Sequence, residues 1–561
     1  MFNSFLSPSL VLMFGALAIP LLGKRIRPTF LIGLPIIALI QIWTYDLGWS
    51  LTFNFLDFQL TPLKMDVLSR LFSTIFAIMT AFGGLYALKQ KRIVELVAAF
   101  IYSGSAIGVT MAGDLITVFV FWEIMAIAST LVIWSSDTKT AYKASMRYIL
   151  IHLFGGVILM AGIAWLVIST KSAEFTAMQA TSPATWLILI GFLINAGAPP
   201  LSGWLPDAYP EASYTGTVFL SAFTTKTAVY VLIRGFPGEE ILIFIGLFMI
   251  FYGIIYALLE NDMRRILAYS IINQIGFMIT GIGIGTEMAI NGAAAHAFTH
   301  ILYKALLLMS AGSVLYMTDK RNCTELGGLF RTMPITMICG TIGALAISSF
   351  PLTSGFVSKS LISQSAADGQ MMIVWMLLTA ASAGVFLHAG IKFPWFVFFQ
   401  KDSGLRPPEP PKNMLAAMVL LAGFCILIGI LPQYLYQNLP YPVNYVPYTT
   451  DHVLKMLQLL LFSGLAFFIL LPMMKRTLTI SLDFDWFYRH LGVKLTIFLV
   501  NLLNETSLKV NHPVKLALTN VTKFITRSFG SNGTLAETTS LGGMVQWVII
   551  LLGLYLIIYL F

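Results

Sequence analysis

Apolar residues run through this chain in stretches of about twenty, divided by short polar segments. A helix of about twenty apolar residues crosses a bilayer. The runs therefore predict membrane spans near 7–23, 29–46, 66–88, 94–112, 114–134, 147–169, 185–203, 215–235, 240–259, 266–286 and 290–317. Further spans are expected near 333–366 (interrupted), 370–398, 413–433, 453–474 and 543–561, about sixteen in all. The rhythm breaks from Asp483 to about Thr539, where apolar residues keep helical spacing but Arg489, Lys494, Lys509, Lys515, Lys523 and Arg527 stand among them. That pattern predicts a basic amphipathic helix lying along a membrane face, with an ordinary loop as the alternative. Pro513 is expected to interrupt or kink it.

Composition agrees with the pattern. Hydrophobic residues make up 57% of the 561 positions and charged residues 11%, under half the charged share of a soluble domain. The fold class expected is an all-α polytopic membrane protein of about 16 transmembrane helices with a C-terminal lateral amphipathic helix. The net charge of +9 would suit a nucleic-acid partner only if clustered on one soluble face, and it is not. Lys24, Arg25 and Arg27, then Lys89, Lys91 and Arg92, Lys139 and Lys143, Arg264 and Arg265, and Lys320, Arg321 and Arg331 all follow odd-numbered spans. Loops after even-numbered spans hold little beyond Lys64, Lys171, Arg234 and Lys359. The bias puts the odd loops in the cytoplasm and the N-terminus outside, as in a multi-pass protein of the inner (cytoplasmic) cell membrane. The first apolar run lacks a basic flank and a cleavage site, so it reads as the first span.

Ionisable residues inside apolar runs cost about 2.5–3.5 kcal/mol each at a helix centre, and they mark pathways or relays. Glu123 sits at the middle of TVFVFWEIMAIASTL and Lys226 at the middle of FLSAFTTKTAVYVLI. His296, His300 and Lys304 recur every four residues and share one helix face. Lys359 follows a helix break at SSFPLTSGFVSK. Other readings stand beside these. Glu123 and Lys226 could form a purely structural ion pair. Two histidines four apart resemble half a zinc site, yet no third ligand stands nearby and Lys304 would repel a cation. His152 reads first as a helix-interface residue, with a relay role as the alternative. His388 and Lys392 lie nearer a span end, where Lys392 is expected to snorkel toward the cytoplasmic headgroups. The GIGIGTE run at 281–287 lacks a βαβ context and reads as small-residue helix packing. Cys323, Cys339 and Cys425 form no paired motif, so neither metal nor cofactor is expected.

The backbone supplies a second signal. NAGAPPLSGWLPDAYP at 195–210 and SSFPLTSGFVSKS at 348–360 both place a Pro-Leu-Ser/Thr-Gly cluster inside an apolar segment. Interrupted segments at corresponding positions of two halves indicate internal repeats with discontinuous helices. An odd number of spans separates them, so two five-helix repeats would be inverted. The chain then divides into N-terminal spans (1–112), a first half (113–235), a second inverted half (236–399), accessory spans (400–482), the lateral segment (483–540) and a terminal anchor (541–561).

VFVFWEIM, WLPDAYPEAS, FTTKTAVYVLIR, NDMRRILAYSIINQIGFM, HAFTHILYKALLLMSAGSVLY, ELGGLFRTMP and FPLTSGFVSKS follow one another from about 114 to 366. In that order they resemble the antiporter-like subunits shared by Mrp-type cation/proton antiporters (the D-type subunit in particular), respiratory complex I and membrane-bound hydrogenases. The segment beginning DWFYR, with the span after it, is similar to the lateral helix of the most distal complex I subunit of this type. The resemblance implies that Glu123 pairs with a lysine and switches it. It also implies that Lys226 is the eighth-span lysine, that His296, His300 and Lys304 form the central relay, and that Lys359 exchanges protons with one side. Many family members carry a lysine before the seventh-span Pro-Leu turn, where this chain has Asn195. Asn195 cannot titrate, so Lys226 would have to be the partner of Glu123.

Three functions are weighed. The first is the proton-translocating subunit of an Mrp-type antiporter, the second a proton-pumping membrane-arm subunit of a complex I-like or hydrogenase-like redox complex. The third is a scaffold. All three imply other membrane subunits and lipid as partners, and no nucleic acid. The first two add protons, with sodium as the candidate counter-ion.

Overall fold

A computed structural model describes residues 7–55, 58–472, 483–529 and 541–560. The ends of the fifteenth predicted span and of the lateral segment, at 473–474 and 530–540, lie outside the described residues. The chain forms two compact units, Met1–Asp485 and Trp486–Phe561.

The first unit opens with α1 (Pro8–Ala18) and α2 (Arg27–Thr44), a hairpin of β1 (Ser50–Phe55) and β2 (Phe58–Lys64), then α3 (Val67–Tyr86), α4 (Ile93–Met111), α5 (Leu115–Trp134) and α6 (Lys139–Thr170). A break separates α7 (Pro183–Ala196) from the short α8 (Trp204–Ala208), and another separates α9 (Gly216–Ala222) from α10 (Thr224–Gly235). Next come α11 (Ile241–Leu259), α12 (Met263–Ile284) and α13 (Glu287–Thr318), followed by α14 (Pro334–Ile347) and α15 (Ser354–Asp368), again divided by a break. α16 (Met372–Val385) runs into π-helical turns at Phe386–Lys392 and Trp395–Phe399, and α17 (Lys412–Ile430), α18 (Gln433–Tyr436) and α19 (Thr450–Leu470) complete the unit. The second unit holds a π-helical turn at Phe487–Gly492, α20 (Val493–Phe529) and α21 (Leu541–Leu560).

Among the described residues, thirteen helices are long and apolar enough to cross a membrane, and three shorter apolar helices cover Pro8–Leu21, Pro183–Ala196 and Pro334–Ile347. The protein is mostly helical and polytopic. Three features depart from the sequence expectation. A small antiparallel hairpin is added to the helical architecture: its second strand turns Leu60 and Leu63 inward, and Asp114 Oδ2 holds Thr61 N–H at 2.8 Å. α20 runs as one helix through Pro513, so the expected interruption is not present. The α9–α10 break at Phe223 was not foreseen.

Local chemistry explains the ends that matter. α5 starts at Asp114, whose carboxylate accepts from Thr117 N–H at 2.7 Å, a standard use of an acid at an N-cap. α7 has a Ser182–Thr185 capping box and Pro183 at its first turn, and it stops at Gly197, whose φ of +79° suits glycine. Gly246, Gly253, Gly276 and Gly283 let α11 and α12 meet backbone to backbone, since a methyl on any of them would fall 2.4–2.7 Å from the facing helix. Gly283 belongs to the GIGIGTE run, which does pack helices as expected. This close pairing places α12 at the centre: the windows of Gly216–Gly235 and Met263–Ile284 are wholly buried, whereas Thr450–Leu470 is mostly exposed.

Candidate functional site

Charged side chains that the core should exclude converge on α10, α12, α13 and α15. Lys226, His296, His300 and Lys304 are completely buried and Lys359 nearly so. Lys226 stands just past the α9–α10 break. Its Nζ donates to the Ser221 carbonyl at 2.7 Å and to Thr225 Oγ1 at 3.0 Å. The break itself is held from outside, because Tyr102 Oη accepts Thr224 N–H at 2.8 Å. Hydroxyls of Ser129, Tyr148 and Thr224 continue that contact, with Ser129–Tyr148 at 3.0 Å and Tyr148–Thr224 at 3.3 Å.

On α13, the helical spacing does put His296, His300 and Lys304 on one side. His296 is pinned at both ring nitrogens, Nδ1 to Ser358 Oγ at 3.0 Å and Nε2 to Gln274 Oε1 at 3.1 Å, with Tyr303 Oη 3.3 Å from Nε2. Ser358 also meets Thr299 at 2.8 Å. His300, by contrast, has no protein partner at either nitrogen, and the charges of Lys226, Lys304 and Lys359 all act on it. Lys304 Nζ donates to Ser270 Oγ at 2.9 Å. Lys359 caps the end of the first half of the broken helix, donating to the Ile347 carbonyl at 2.6 Å, and its ammonium lies 4.9 Å from the Phe277 ring centre. A cation at a helix C-terminus complements the helix dipole.

The structure does not bring every predicted residue together. Glu123 and Lys226 form no ion pair in it. The Glu123 carboxylate lies instead against Gly156 of α6, with Oε1 buried and unpartnered. A side chain at 156 would occupy its place. Asn195 is buried with neither amide atom bonded. His152 is stacked on Tyr148 and set edge-on to Trp204, with Nδ1 bonded to the Tyr148 carbonyl at 3.0 Å and Nε2 buried without a hydrogen-bond partner. Lys392 does not snorkel. It is 3% exposed and donates to three carbonyls at the end of α11, those of Ala257 (3.0 Å), Leu258 (2.6 Å) and Glu260 (2.6 Å). Among the described residues, no group of three His, Cys, Asp or Glu side chains has metal-site geometry.

Sequence reasoning missed the polar wall facing the histidines: Ser270 and Gln274 from α12 and Ser358 from α15. The signal was there in AYSIINQIGFM, whose Ser, Asn and Gln sit in a helix buried all round. It also missed Asp483, buried at the edge of the first unit, whose carboxylate accepts from the hydroxyls of Tyr252 and Tyr269.

The family described as NADH:quinone oxidoreductase/Mrp antiporter, transmembrane, matches residues 112–385, the stretch that contains these buried lysines and histidines. Residues 112–385 belong to this family. The chain is 30% identical over 424 residues to a subunit of a probable K(+)/H(+) antiporter of Rhizobium meliloti, covering 70% of this chain and 41% of that protein. It is 27% identical to one of the Na(+)/H(+) antiporter subunits of Alkalihalophilus pseudofirmus, over 67% of this chain and 82% of the relative. Its antiporter-like fold also matches a chain in the structure of the membrane-bound sulfane sulfur reductase, an archaeal respiratory membrane complex. There the TM-score is 0.71 and the identity 23%, over 98% of this chain and 99% of the other.

Proposed function

We propose that this chain is the proton-translocating subunit of a multi-subunit Mrp-type cation/proton antiporter. One observation carries the reading: three lysines and two histidines, all buried, stand on α13 and on the helices α10 and α15 that pack against it, with no carboxylate within ion-pair distance of Lys226, Lys304 or Lys359 among the described residues. Purely structural buried charges are paired. Like charges buried this closely repel, so a proton arriving at one site favours release from the next. Lys226, His300, Lys304 and Lys359 pass the proton, with His296 held by Gln274 and Ser358 as the fixed ring beside them. The antiporter subunits among the relatives favour a cation as the coupled ion. In this reading sixteen spans cross the membrane, the two broken helices belong to inverted five-helix repeats, and the N-terminus faces outward. The lateral segment contacts neighbouring subunits on the cytoplasmic face.

A second reading has its own support. The match to the sulfane sulfur reductase chain runs over nearly the whole length, α20 and α21 included. The same relay would then serve a redox complex whose electron chemistry belongs to other chains. One experiment separates them. The native complex is purified with its partners and reconstituted into liposomes containing a pH-sensitive dye. The antiporter reading expects a pH change on adding sodium or potassium without an electron donor. Silence with both cations, followed by acidification once a donor is supplied, overturns it in favour of the redox pump.

A further inference from the structure

α2 and α17 both pack against α3, yet the three helices leave a cavity of about 240 Å³ between them. Leu71 of α3 and Phe298 of α13 line it, and its mouth runs between Trp43, Leu427 and Tyr434, all exposed. In a chain that spans a membrane, such a surface meets lipid rather than water. Aromatic side chains with a polar edge gather at headgroup depth. Trp43 stands at the end of α2 and Tyr434 just past the end of α17. The mouth therefore opens where acyl chains meet headgroups, in the outward leaflet under the orientation proposed above.

Among the lining residues one is charged. Arg70 stands one turn into α3, and the acid four residues before it, Asp66, pairs with Arg234 at 2.6 Å instead. Among the described residues Arg70 forms no ion pair. Its Nη2 donates to the Tyr45 carbonyl and its Nε has no partner. The guanidinium carbon lies 5.2 Å from the centre of the Trp43 ring, which is itself fixed by its N–H on Thr74 Oγ1 at 3.1 Å. An uncompensated cation at this depth is costly. A phosphate group would compensate it, because a guanidinium presents several donors in one plane to two phosphate oxygens. We propose that the cavity is a lipid site: one acyl chain of an anionic phospholipid fills it, and the phosphate sits on Arg70 at the mouth. The site is the same whichever ion or electron donor drives the complex. Phe298 lies two residues from both His296 and His300, on the opposite side of α13, so the bound chain braces the helix of the two histidines from behind.

The test uses the whole purified complex, stripped of lipid in detergent, and a phosphatidylglycerol with a photoreactive acyl chain. Cross-links are expected in the peptides of α3 and α17 that line the cavity. Plain phosphatidylglycerol should compete for them at least about tenfold better than phosphatidylcholine, whose headgroup carries no net charge. Arg70→Gln removes the cation and should erase that preference. Leu427→Trp fills the mouth and should abolish the cross-link, whereas Ile426→Trp, exposed on the same helix but outside the cavity, should leave it intact. Equal competition by the two lipids in the wild type, or a preference retained in an assembled Arg70→Gln complex, makes Arg70 only a tie to the Tyr45 carbonyl and overturns the site. Should Arg70→Gln fail to assemble, the Leu427→Trp complex decides: a cross-link there as strong as in Ile426→Trp places the lipid elsewhere and overturns the proposal.

Discussion

The two broken helices invite comparison, because sequence made them look alike. In the C-terminal one, the break leaves a carbonyl at Ile347 that Lys359 caps, and the charge so placed lies 4.9 Å from the centre of the Phe277 ring. In the N-terminal one, the carbonyl of Ile194 is taken by the indole N–H of Trp204 at 3.0 Å, and Asn195 makes no bond. One break is closed by a group that can give up a proton, the other by a group that cannot. A Pro-Leu-Gly turn therefore makes a discontinuous helix in both halves, and under the proposed relay the residue that satisfies the freed carbonyl is what sets the two apart.

The comparison can be broken at graded cost. Among these substitutions Lys359→Ala should have the largest effect short of the loss expected for Lys304→Ala, cutting proton movement by roughly a hundredfold or more in an assembled complex, since it removes a relay member outright; flux within threefold of wild type would mean the C-terminal break is as inert as the N-terminal one. Lys226→Met comes next. It should slow transport about tenfold and also lower the melting temperature, because Ser221 loses its buried donor; an unchanged melting temperature would remove the capping role. Glu123→Gln should cost under about threefold in flux, since Glu123 holds no lysine here, and a collapse like that of Lys359→Ala would restore the Glu–Lys switch. Asn195→Ala should be the mildest, with flux unaltered and stability equal or raised by up to about 1 kcal/mol, because it removes a buried polar group that has no partner. A loss of flux from an Asn195→Ala complex of unchanged stability would give the N-terminal break a function of its own.

Sequence reading carried the architecture well where the physics is local. Apolar length placed an apolar helix at every predicted span. Helical spacing alone put His296, His300 and Lys304 together. It failed where an outcome depends on partners distant in sequence. Glu123 and Lys226 are both mid-span, but a glycine at 156 draws the carboxylate toward α6. Lys392 sits near a span end, as a snorkelling lysine would, but α11 happens to end beside it with three carbonyls to satisfy. The hairpin at 50–64 falls between two predicted spans where sequence reading assigned no element, because a few alternating residues stand out poorly beside apolar runs of about twenty.

The central claim is that the buried lysines and histidines conduct protons, and Lys304 is among them. The most direct measurement compares wild-type and Lys304→Ala complexes, matched for subunit content, in liposomes with an internal pH dye and an imposed cation gradient. The account predicts a wild-type pH change and none above empty liposomes with Lys304→Ala. Equal pH changes from the two complexes would contradict it and return these buried lysines to a structural role.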